Sequence, residues 1–230
     1  MRKVSAYFVV VLIALGWCFA GVTEGSVIYT SQSRFVEARN DSTGMPPRRI
    51  EAPDFDSFNQ TARLQTPTTF PQPWLLAEAS MNSTITPEGI NTSGRAIAQW
   101  LTPLIPIGGA SSNSGLDVSF SLDTPTDFRL YYFFQQLLSG PTQSSGGCTL
   151  YRDGLPLYRV QIDFQNELFG TLTPGDYRLV LAASAITSVN ASRSGEFVYT
   201  GGIQIPATPA GAAVAGGVMF AALRRARRGA

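Results

Sequence analysis

The chain has no histidine in 230 residues and a single lysine, Lys3. The first absence excludes a Ser-His-Asp triad, a Cys-His nucleophile, a His-ligated zinc site and an imidazole pH switch. Charge is scarce too: Asp, Glu, Lys and Arg make up 14% of the chain, against about 25% in an ordinary soluble domain. Cysteine is limited to Cys18 and Cys148. No Gly-x-Ser-x-Gly, Walker or dinucleotide-binding sequence occurs, so the serines lack a partner base and the glycines lack a phosphate to cradle. A net charge of +1 hides an uneven distribution, because Arg2, Lys3, Arg224, Arg225, Arg227 and Arg228 lie at the extreme ends. The body between them is mildly acidic, which leaves no basic patch for nucleic acid.

What is present is 44% hydrophobic residues, with 22 Gly and 15 Pro. That hydrophobicity, with little net charge, argues against disorder, and the Gly and Pro predict many turns. The length suits one ordinary domain plus address segments.

Both ends read as addresses. Met1-Arg2-Lys3 precedes an apolar run from Ala6 to Trp17, followed by Cys18-Phe19-Ala20. A basic start, a short apolar helix and small residues at a cleavage position describe a secretory signal peptide over residues 1–20. Cleavage after Ala20 puts Cys18 and Ala20 where small residues are wanted, and a cut as late as residue 25 also fits. The alternative is an uncleaved anchor or a buried helix, for which the run is short. Trp17 before Cys18 argues against lipoprotein processing. Removing this segment leaves Cys148 alone, so no intramolecular disulfide forms. A buried, inert thiol is expected, with an intermolecular disulfide as the alternative.

The other end, residues 206–230, carries Pro206 and Pro209, an apolar segment from Ala210 to Leu223, and the cluster Arg224, Arg225, Arg227 and Arg228. The uncharged stretch that starts at Ile203 reaches the length of a transmembrane helix, and the arginines would hold its end on the cytoplasmic side. Rich in Ala and Gly, it makes a weak permanent anchor. Prolines, a short span and terminal arginines together resemble the sorting tail of the PEP-CTERM class of exported bacterial proteins. This tail is a variant: Ala207-Thr208 stands between the prolines, where the class has a Glu. The resemblance implies recognition of the Pro motif by a membrane sorting protease, an exosortase, and a variable β-rich body. A plain tail anchor is the other reading.

Residues 26–205 read as an all-β body. Leu116, Val118, Phe120 and Leu122 alternate with polar residues, as do Tyr177, Leu179, Leu181, Ala183 and Ala185, and then Phe197, Tyr199, Gly201, Ile203 and Ile205. Period-two alternation describes strands with one apolar face. Further strands are expected at Val27–Phe35, Leu75–Ile85, Gly94–Trp100, Cys148–Arg152 and Leu155–Phe164. Asp153-Gly154 marks a tight hairpin, and Pro174-Gly175 a type II turn. The segment Phe128–Leu138 is apolar at consecutive positions, so it is expected inside a sheet and covered on both faces. Asp41–Pro53, Thr66–Pro73 and Leu101–Gly115 read as loops. The pattern predicts an antiparallel β-sandwich of jelly-roll or immunoglobulin-like type, built from sequential hairpins, between a signal helix and a C-terminal transmembrane helix. Alternating Ala and Ser in Ala77–Ile85 and Tyr177–Thr187 suit either close sheet packing or a flat adhesive face.

Candidate chemistry is thin. Asp54 and Asp56 would share one face of a strand and offer a pair of carboxylates to calcium or to acid–base work, with a solvated edge as the bland alternative. Trp74, Trp100 and the tyrosines would either stack on sugar rings or fill the core. Asn40, Asn59, Asn82, Asn91 and Asn190 begin Asn-x-Ser/Thr triplets and are expected on polar surface. No cofactor is implied. The expectation is an exported, non-catalytic protein of the cell surface or extracellular matrix. Its partners would be the membrane, a sorting protease, and extracellular polysaccharide or further copies of itself. The second reading is a carbohydrate-binding module, calcium-stabilised in one version.

Overall fold

The computed structural model describes residues 26–41, 45–66, 75–100, 109–139, 143–161, 165–187 and 193–205. The segments assigned to signal, sorting and anchoring, with Ala20, Pro206, Pro209, Arg224, Arg225, Arg227 and Arg228, lie outside these residues, as does Trp74.

Every regular element described is a strand. They are β1 (Val27–Asn40), β2 (Arg48–Glu51), β3 (Phe58–Gln65), β4 (Leu75–Thr86), β5 (Gly89–Trp100), β6 (Ala110–Leu122), β7 (Thr126–Ser139), β8 (Gln143–Arg152), β9 (Leu155–Gln161), β10 (Gln165–Leu172), β11 (Gly175–Thr187) and β12 (Arg193–Gln204). Two six-stranded sheets result: sheet A in the order β2-β1-β6-β11-β8-β9, and sheet B in the order β10-β7-β12-β5-β4-β3. All pairings are antiparallel. The sheets stack face to face in a sandwich-like architecture, with β1 and β6 over β4, and β11 over β5 and β12.

Alternation decides which side chains fill the space between the sheets. In β6, Leu116, Val118, Phe120 and Leu122 are buried while Asp117, Ser119 and Ser121 point outward. In β11 and β12, Tyr177, Leu179 and Leu181 meet Phe197, Tyr199 and Ile203 in one core. Phe120 stacks on Tyr177 at 5.5 Å between ring centroids, and Phe134 meets Phe197 at 5.8 Å. Each large side chain buried this way contributes about 2 kcal/mol. The small residues of β4 and β11 also face inward: Ala77, Ala79, Ala183 and Ala185 are buried. These alanines serve close sheet packing, while Ser80, Ala182 and Ser184, which alternate with them, lie on the outer faces.

The Asp153-Gly154 hairpin forms as expected, with φ of 50° and 78°, the double positive-φ geometry of a tight β-turn. Other expectations change. Gly175 has φ of 151° as the first residue of β11, far from the value of about 80° a type II turn asks for. Arg48–Glu51 inside the expected loop 41–53 pairs with β1, and β6 begins at Ala110, inside the expected loop 101–115. Backbone pairing won over the local turn residues there. β3 and β10, not foreseen, close the two ends of sheet B. β7 does lie inside a sheet, but only its even-numbered face is buried: Phe128, Leu130, Tyr132 and Phe134 point to the core, while Phe133 and Leu137 are open to solvent. Asn40 is 3% exposed, contrary to the surface position expected of it.

Candidate functional site

Asp54 and Asp56 do not share a strand face. They lie in the bend that links β2 to β3, where the Asp54 carboxylate accepts the Asp56 backbone N–H at 3.0 Å. A two-residue strand spacing requires an extended backbone, and this local hydrogen bond curls the chain instead. The cation at this bend is Arg34. Fully buried on the inner face of β1, its guanidinium donates to the backbone carbonyls of Asp54 and of Asp56, the latter at 2.7 Å, and to Ser83 Oγ at 3.2 Å. Its Nε donates to Gln32 Oε1 at 3.0 Å. Burial lowers the guanidinium pKa from its ordinary value, against the pull of the two nearby carboxylates. Among the described residues no group of three His, Cys, Asp or Glu gathers to hold a metal, here or elsewhere. The carbonyl oxygens a calcium ion would draw on at this bend are turned to Arg34.

Cys148 sits on the inner face of β8 at 2% exposure, and burial pushes its thiol up to about 12. It is free and buried, the inert arrangement.

The outer faces of the two sheets hold the accessible features. On sheet A a groove of about 510 Å³ crosses β1, β6, β11 and β8. Its floor is small and polar, with Asn113, Ser145, Gly147 and Ser184. One wall is made by Phe35, with the Arg49 guanidinium stacked 3.9 Å over its ring. Glu37 beside it is 7% exposed in its side chain and accepts from Arg39 at 2.5 Å and from Arg49 at 3.1 Å. Burial alone would raise the Glu37 pKa; hydrogen bonds from Arg49 and Arg39 and the charges of both outweigh it and hold the carboxyl below its usual range. The other wall has Tyr151, with Arg178 5.7 Å from its ring and also bonded to Asp117. The Phe35 ring is therefore covered by Arg49, and Phe35 and Tyr151 are both only half-exposed.

Sheet B is different. On the outer face of β7, Tyr131 and Phe133 follow one another, and Phe169 of β10 lies opposite Arg129 of β7. Phe169 is 65% exposed and Phe133 38% exposed. The Arg129 guanidinium lies 5.8 Å from the Tyr131 ring and 5.9 Å from the Phe169 ring. It is held by Glu167 at 2.6 Å and Gln204 at 3.2 Å. The Tyr131 hydroxyl donates to Asn91 Oδ1 of β5 at 2.6 Å, spanning β12 at Gly202, the residue in register with both. A side chain on Gly202 would meet the Ile90 carbonyl at 1.9 Å. Partial burial raises the Tyr131 phenol above its ordinary pKa, with Arg129 opposing, so the hydroxyl stays a donor. A hollow of about 460 Å³, lined by Asp127, Arg129, Phe169, Thr171 and Gln204, continues the strip at one end.

The sequence reading named tyrosines as a set and singled out Trp74 and Trp100. It missed Phe133, Phe169 and Tyr131 as a group. Register between β7 and β10 brings them together, and β10 was not foreseen. Compared with models of known families and with curated proteins, the chain matches none. The class that can be stated is therefore architectural: an all-β protein of two facing six-stranded antiparallel sheets.

Proposed function

We propose that the protein is exported and works without catalysis at the cell surface or in extracellular matrix, as a structural or interaction protein. The N-terminal segment ending near Ala20 is its export signal. The tail with Pro206, Pro209, the span and Arg224, Arg225, Arg227 and Arg228 is its sorting device, handled by a membrane protease of the exosortase type. The all-β body is the working part. It is a β-sandwich in which the chain changes sheets repeatedly, as in jelly rolls, with more strands than either a jelly roll or an immunoglobulin-like domain. The observation that carries this reading is the pair of open sheet faces, where Arg63, Arg95 and Arg129 of sheet B are each matched by a carboxylate. Such faces suit contact with a large partner.

The test is the intact mass and terminal sequence of the protein recovered from its native host, fraction by fraction. A product that begins between residues 21 and 26 and ends between residues 206 and 209 is expected. A product that keeps Arg224–Arg228 in the membrane fraction would replace sorting with a permanent anchor.

A second reading, a carbohydrate-binding module, is favoured by one feature, the strip of Phe169, Tyr131 and Phe133 on an exposed sheet face. Its calcium-stabilised version would need ligands beyond Asp54 and Asp56.

A further inference from the structure

We infer that the outer face of sheet B around β7 and β10 binds a neutral polysaccharide chain, laid obliquely along Phe169, Tyr131 and Phe133. The inference rests on the carbohydrate-binding reading and gives it a place and a ligand class. Tyr131 and Phe133 are two residues apart on one strand, about 7 Å. Phe169 is the diagonal neighbour of Tyr131 on the next strand, about 7–8 Å away. The Arg129 guanidinium fills the gap between those two rings. The platform is fixed before any ligand arrives: Tyr131 is tied to Asn91, and Arg129 to Glu167 and Gln204.

Charge selects among partners. On this face Arg63 pairs with Glu78, Arg95 with Glu196 and Arg129 with Glu167. Asp127 at the rim takes a hydrogen bond from Thr171 at 2.7 Å. A polyanion would find no free cation here among the described residues, and a polycation would find one carboxylate. An uncharged partner fits. A peptide is disfavoured because the β7 ladder is committed on both sides, to β10 and to β12. Extended peptides gain main-chain bonds at an edge, not on a face. What the face offers is rings for the apolar side of a sugar, and the side chains of Gln135, Thr200, Thr171 and Gln204 for hydroxyls.

The test is native affinity electrophoresis of the full chain in gels containing hydroxyethylcellulose, xylan, galactomannan or mixed-linkage glucan, with alginate as the polyanion. Retardation in at least one neutral gel is expected, with affinity about tenfold weaker in Phe169→Ala and in Phe133→Ala. Both side chains point to solvent, and unchanged circular dichroism verifies the fold. Retardation that both variants retain overturns this face but leaves the carbohydrate-binding reading standing. No retardation in any gel overturns both, and retardation by alginate alone overturns the neutral ligand. Sedimentation is run alongside: a glycan-free dimer that both substitutions dissociate assigns the face to a second copy and overturns the proposal.

Discussion

At Glu37 burial and charge meet on an outer sheet face. It faces outward from β1 but lies under Arg39 and Arg49, which hold its carboxyl below the ordinary value. A depressed carboxyl stabilises the fold above its unfolded-state pKa, and that contribution disappears as pH falls through the folded value. Denaturant unfolding between pH 7 and pH 2 is expected to show this loss on the acid side of the normal carboxylate range. In Glu37→Gln the same series should be flatter by about 1 kcal/mol, a figure kept small because both arginines are about half exposed. An unchanged acid limb in the variant would mean that the ion pairs add nothing. None of this was legible beforehand, because Arg39 is near in sequence but Arg49 arrives only through the β1–β2 pairing.

Strands behave as units because their inner faces interlock. Glycine makes room for an aromatic ring at two points, across the sheet interface where β8 faces β12, and within sheet B where β5 pairs with β12. A Cβ on Gly146 would stand 2.1 Å from the Phe197 ring, and one on Gly94 2.4 Å from the Tyr199 ring. Tyr199 is fully buried, bonded to Ser114 Oγ at 2.8 Å, and burial pushes its phenol up to about 12. Neither ring can swing into solvent to make way. Gly146→Ala and Gly94→Ala should each cost about 1–3 kcal/mol, read as a lower denaturation midpoint at unchanged slope. A midpoint equal to wild type in both would show that the two rings move aside at no cost. The alternation that put Phe197 and Tyr199 inward was plain in the sequence. The need for glycine opposite them was not, since it depends on the register of β5 on β12 for Tyr199 and on which strand of the other sheet lies over Phe197.

Across the whole molecule, Cys148 reports on the integrity of both sheets. It lies on β8 between β11 and β9, facing the core, with its thiol far from ionising at neutral pH. A thiol reagent at pH 8 should label it only at the rate of global opening, and rapidly once denaturant passes the unfolding midpoint. Fast labelling without denaturant would mean that β8 and β9 open on their own. The sheet centres explain the expected coupling: β6 pairs with β11, and β12 with both β5 and β7, so neither sheet is completed until the last strands arrive. Sequential hairpins, the simpler arrangement read from the chain, occur at β1–β2, β3–β4, β4–β5 and β8–β9.

The sequence by itself determined the class of structure and the inward faces of β6, β11 and β12, because side-chain alternation is a property of the extended chain and needs no partner. It also determined the Asp153-Gly154 hairpin, because two adjacent positive-φ residues act locally. Tertiary structure alone decided the rest. Arg34 claims the carbonyls of Asp54 and Asp56 from 20 and 22 residues away. Tyr131 reaches Asn91 across Gly202, and Phe169 joins Tyr131 and Phe133 through the register of β10 on β7. These are pairings between segments distant in the chain. Their energy comes from burying both partners at once, and no single segment carries that information.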